Sequence, residues 1–68
     1  MAIDELQQIA QARAIMMMRG FEPLKVEIGP ETNRLLGRAI SEDGILLDMR
    51  VNVRSDMEGF AVRPERDR

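Results

Sequence analysis

The 68-residue chain has no cysteine, no histidine, no tryptophan and no tyrosine. Without cysteine there is no disulfide, and without cysteine or histidine the usual zinc and haem ligand sets are missing. Small domains often lean on such staples, because they bury a modest fraction of their surface. What is left is a well-formed core, association with other chains, or both. The aromatic residues are Phe21 and Phe60, too few to offer bases a stacking platform. Charges of both signs are mixed along the chain, the net charge is −2, and no basic stripe runs through it. Nucleic-acid binding is therefore disfavoured. No apolar run approaches the roughly 20 residues of a membrane span. The opening Met-Ala-Ile-Asp-Glu also lacks the basic start of a signal peptide, so the expected setting is the cytosol or an assembled particle.

Catalytic chemistry has few carriers. The hydroxyls are Thr32, Ser41 and Ser55, and no histidine is present to activate them. The single lysine, Lys25, falls on the polar side of a strand and is expected in water. Glu42 with Asp43, and Asp56 with Glu58, make two acidic clusters. Neither has the ligand spacing of a calcium loop, and both suit turns. No enzyme, cofactor, metal or small-molecule substrate is expected.

What is present is periodic. Residues 2–19 read as a helix, with Asp4 and Glu5 in the first turn and Gly20 just past the end. Its stripe runs through Ile3, Leu6, Ala10, Ala14 and Met17, widened by Ile9 and Met16. Residues 24–28 alternate as a strand, with Val26 and Ile28 inward. Pro30 opens a second helix that turns Leu35, Leu36, Ala39 and Ile40 to one side. Residues 41–44 are a turn. Residues 45–54 read as one long strand, with Ile45, Leu47, Met49, Val51 and Val53 on its buried face. Residues 55–59 read as a hairpin loop leading to a return strand at 60–63, stopped by Pro64. Phe60 and Val62 then share the buried face.

The expected fold is α+β, a two-layer mini-domain in the order α-β-α-β-β. A three-stranded mixed sheet carries both helices on one face. The 16 residues between Ile28 and Ile45 permit a crossover that makes the first two strands parallel. Residues 1–64 form the single domain, and the charged tail 65–68 is expected to be flexible. The expected core is Leu6, Met17, Val26, Ile28, Leu36, Ile40, Leu47, Met49, Val51, Val53, Phe60 and Val62.

The stretch "AIMMMRGF" fits this scheme badly, because Ile15 and Met18 fall on the side of the helix opposite its stripe. Such residues on a small chain point to an intersubunit contact. Ile15, Met18, Gln11 and Arg19 are the candidate interface, and methionine suits it because a thioether side chain packs adaptably.

Two resemblances bear on function. The pieces "GFEPLKVEIGPETNRLL" and "LLDMRVNVRSDMEGFAVRPE", preceded by a helix, resemble small proteins encoded by tailed bacteriophages and prophages. That resemblance implies a non-enzymatic structural or accessory protein, in the virion or the host cytoplasm, acting as an oligomer or docked on a larger assembly. It extends to a phage inhibitor of a host protein. The second is local. "LLGRAISED" and "RSDMEGFAVR" are similar to the N-terminal segment of the molybdopterin molybdenumtransferases, the family of the gephyrin E domain. Leu36, Gly37, Arg38, Glu42, Asp43, Arg54, Ser55, Met57, Gly59, Ala61, Val62 and Arg63 carry that match. The spacing is one residue shorter, and Val53 stands where that family has an acid. This resemblance implies a fragment connected with molybdenum cofactor metabolism.

Overall fold

The structure, a computed structural model, describes the backbone of residues 2–64 and the side chains of residues 4–64. The expected flexible tail, 65–68, lies outside the described residues. Six elements follow one another: α1 (Ala2–Met18), β1 (Lys25–Ile28), α2 (Pro30–Leu36), β2 (Ile45–Leu46), β3 (Met49–Val53) and β4 (Phe60–Arg63). The class is α+β, with two helices and a mixed sheet. That sheet has four strands, in the order β2-β3-β1-β4.

α1 ends as its sequence suggests. Gly20 takes φ +87°. Its N–H donates to the Met17 carbonyl at 3.0 Å, and the Phe21 N–H donates to the Met16 carbonyl at 3.1 Å. This pair of bonds is a Schellman cap. It satisfies the last carbonyls and folds Phe21 back beside Met16. Pro30 begins α2, but the helix stops at Leu36, and residues 37–39 continue as turns.

The long strand expected over residues 45–54 is broken. Leu47 and Asp48 both have positive φ, +50° and +66°, which is the signature of a two-residue type I′ hairpin turn. The turn pairs Leu46 with Met49 and Ile45 with Arg50, which reverses the alternation before it. Leu46 faces the core and is 1 % exposed. Leu47, expected inside, sits on the turn and is exposed. Neither turn residue is a glycine or an asparagine, so periodicity alone does not reveal the break.

The expected hairpin between the last two strands is absent. β1 lies between them, parallel to β3 and antiparallel to β4. The connection from β3 to β4 spans two strand spacings of about 4.8 Å each, so it needs more than a tight turn. It passes over the end of β1 at Gly29. There Arg54 N–H donates to Ile28 O at 2.8 Å, and Gly29 N–H donates to Gly59 O at 2.9 Å. As the inner strand, β1 becomes the best-covered element, with Val26 and Ile28 fully buried.

Ile9, Val26, Ile28, Leu36, Leu46 and Met49 form the core, with Leu6, Ile40, Val51, Phe60 and Val62 packed against it. Both helices contribute to this cluster, and so both pack on the same face of the sheet. Three expected core residues are exposed instead: Met17 by 51 %, Leu47 by 39 % and Val53 by 46 %. For Met17 the reason is angular. The helix turns Ile9 to the centre of the core, and Ile9 has far more apolar area than Ala10 or Ala14. Met16 then lies about 20° from the inward direction and Met17 about 80° from it, at 100° per residue. Val53 keeps its inward parity beside Ile28 and Phe60, but it is the last residue of β3. Parity sets the side of a sheet, not the depth of cover.

Candidate functional site

Among the described residues, the large exposed apolar side chains are Ile15, Met17, Met18, Phe21, Leu47 and Val53. The first four lie within seven positions of sequence, at the end of α1 and just after its cap. Beside them runs an open groove of about 420 Å³, lined by Ala12, Ile15, Met16, Arg19, Phe21, Val62 and Pro64. One wall is the C-terminal half of α1. The other is the outermost strand of the sheet, β4. The Schellman cap makes this groove, because it turns Phe21 from the helix axis toward Val62 and Pro64. Of the residues expected at an interface, Ile15 and Arg19 line the groove. Met18 stands outside it and is 85 % exposed, and Gln11 is exposed on the same helix. Sequence reasoning missed Phe21 and the β4 wall. The glycine just before Phe21 is the one local signal for the former.

The sheet face opposite the helices is charged. Cross-strand register places Arg50, Lys25 and Arg63 side by side on β3, β1 and β4, an arrangement of like charges that costs stability by itself. Glu27 offsets it. This carboxylate is 5 % exposed. It accepts from Arg63 Nε at 2.8 Å and lies 3.5 Å from Arg54 Nη1 and 3.9 Å from Lys25 Nζ. Lys25, expected in water, has a side chain only 14 % exposed. Arg54 also grips Asp56, with bonds of 3.2 and 3.1 Å. The hydrogen bond from Arg63, then the nearby cations, hold the Glu27 carboxyl below the usual carboxylate range against the opposing effect of burial. Asp56 is lowered by its hydrogen bonds from Arg54, and Glu31 by its pairing with Arg34.

These directions set a pH dependence. A carboxyl whose folded value is depressed adds stability that is complete above its unfolded value. That stability is lost as pH falls through the folded value. The urea midpoint should therefore be flat near neutrality and fall in acid, as pH drops below the ordinary carboxylate range. Glu27→Gln should flatten that acid limb, as read by urea melts at several pH values. An acid limb as steep as that of the wild type would remove Glu27 from its cause.

The remaining candidates do not converge. Thr32 is buried in α2, whereas Ser41 is exposed and its Oγ accepts from Ile45 N–H at 3.1 Å, which is turn chemistry. Among the described residues no group of three histidine, cysteine or acidic side chains could hold a metal, and no helix is long and apolar enough to cross a membrane. Arg54 and Arg63, which carry the molybdenumtransferase resemblance, both turn onto Glu27 rather than toward a cleft. No protein-family model matches the chain, no curated protein is significantly similar to it, and no solved structure matches it significantly.

Proposed function

We propose that the chain is a small non-enzymatic interaction protein that works by association, with itself or with a larger protein assembly. The observation that carries this reading is the gathering of Ile15, Met17, Met18 and Phe21 at one end of α1. Scattered exposed apolar residues are ordinary on a monomer. Four of them at one helix end, with Ile15 and Phe21 lining an apolar groove, are what a partner covers. Three of these four side chains are unbranched or planar, and the two methionines adapt to an imperfectly matched surface. The reading extends to a structural or accessory role of the bacteriophage type, in the virion or the host cytoplasm, on the sequence resemblance above.

The test is a double change, Ile15→Glu with Met18→Lys, on residues that α1 does not use for its core. Circular dichroism should be unchanged. Light scattering on a size-exclusion column should show the wild type in a complex and the variant as a 7.8 kDa protomer. A variant with wild-type mass and wild-type partners would leave the patch to water and defeat the reading.

A further inference from the structure

We infer that a second copy of this chain docks on the open edge of β4 across a two-fold axis, joining the two sheets into one. The inference rests on the association reading above and names its partner.

β4 ends the sheet, and among the described residues only β1 pairs with it. Backbone direction alternates along a strand. Because Gly29 N–H donates to Gly59 O, the antiparallel register places Gly59, Ala61 and Arg63 toward β1. The N–H and C=O groups of Phe60 and Val62 then point away from the sheet, into the open edge. Proteins usually blunt such an edge with charge, a bulge or a covering segment. Here its middle is Phe60, Ala61 and Val62, with no charge until Arg63 and no proline until Pro64.

That stretch is self-complementary. Antiparallel pairing centred on Ala61 sets Phe60 of each copy against Val62 of the other, and all eight outward groups bond. Phe60 and Val62 lie on the helix side of the sheet, beside Val26 and Ile28, so each new cross-strand pair is apolar. On the other face Ala61 meets its own copy, and Arg63 meets Gly59, so no like charges face one another. Pairing centred on Val62 is poorer, because it sets Phe60 against Pro64, which has no N–H to donate. A two-fold interface requires one patch that fits itself, and this register meets that condition. The same axis puts both α1 helices in one layer, on either side of the joint. Val62, which walls the groove, then stands against Phe60 of the other copy, so groove and edge adjoin.

The test uses the full chain. Ala61→Lys places a lysine opposite Glu27, on the charged face of the sheet. Across the axis it sets two like charges on residues only about 4.5 Å apart at Cα. It should weaken the dimer on the order of tenfold or more, without loss of circular dichroism. A chain synthesised with the Val62 amide N-methylated should also become monomeric, since that N–H points away from β1 into the open edge. In the wild type, the Phe60 and Val62 amides should be protected from hydrogen exchange at high concentration and exposed on dilution. Three outcomes would overturn the inference. The wild type could be a monomer at all concentrations. Ala61→Lys and the N-methylated chain could keep the wild-type mass. The two amides could be protected only when a different protein is added. If the Ile15 and Met18 double change separates the copies but neither β4 alteration does, the association reading stands and the edge pairing falls.

Discussion

Replacing Gly29 by alanine is expected to destabilise the fold by about 3 kcal/mol, near the upper end for an overpacked site. The backbone angles are not the cause, because Gly29 has φ −78° and ψ 170°, which any residue adopts. The cause is steric. A Cβ at this position would stand 2.3 Å from the Met57 carbonyl oxygen and 3.2 Å from the Glu58 Cα. Both are backbone atoms of the loop that crosses the end of β1, so no side chain can rotate away. Either the loop lifts, with loss of the Gly29 to Gly59 bond, or β1 shifts under its two neighbours. Gly20→Ala is the comparison. Its Cβ meets nothing within 4 Å, and only its positive φ opposes the change, for about 1 kcal/mol. Urea melts of the two variants decide the matter. If Gly29→Ala lies within about 0.5 kcal/mol of the wild type, the loop does not cross β1 there.

The second large effect is on α1. Ile9→Ala should cost about 3–4 kcal/mol, within the range for a fully buried aliphatic side chain cut to alanine. For a domain this small that is a large part of its total stability. Ile9 is wholly buried and, among the described residues, is the one that α1 puts in the central cluster. Met17→Lys, by contrast, should change stability by no more than about 0.5 kcal/mol, because Met17 is half exposed and its lysine head can stay in water. Thermal or urea melts of both variants test the rotation of the helix directly. The opposite order, with Met17→Lys unfolding the chain and Ile9→Ala tolerated, would place the inward stripe along Ala10, Ala14 and Met17.

The helix over residues 2–18, its glycine cap, strand β1, the proline start of α2 and the strand at 60–63 are all legible in the sequence. Each follows from a local rule, whether 3.6-residue periodicity, two-residue alternation, or the preferences of proline and glycine. The inward parity of Val26, Ile28, Met49, Val51, Phe60 and Val62 is legible for the same reason. The parallel relation of β1 to the strand that begins at Met49 was available from the length of the connection. The candidate interface was half legible. The offset of Ile15 and Met18 from the helix stripe marks an exposed pair, but Phe21 and the β4 wall join them only in three dimensions.

What the sequence by itself determined is the kind of element at most positions, and which side of a strand each residue takes, because those depend on neighbours a few residues away. Tertiary structure alone decided three things. It set the rotation of α1, since Ile9 rather than the alanines gains most from the core. It broke the long strand at Leu47 and Asp48, where Leu47, a residue with no preference for positive φ, accepts it so that Leu46 can pack beside Met49. And it placed β1 between β3 and β4, because a loop crossing at Gly29 lets the strand richest in buried aliphatic residues take cover from both sides. That last choice also leaves β4 at the edge of the sheet, with the backbone groups of Phe60 and Val62 facing outward. No local pattern could announce it, since an edge is defined by which strand is missing from its far side.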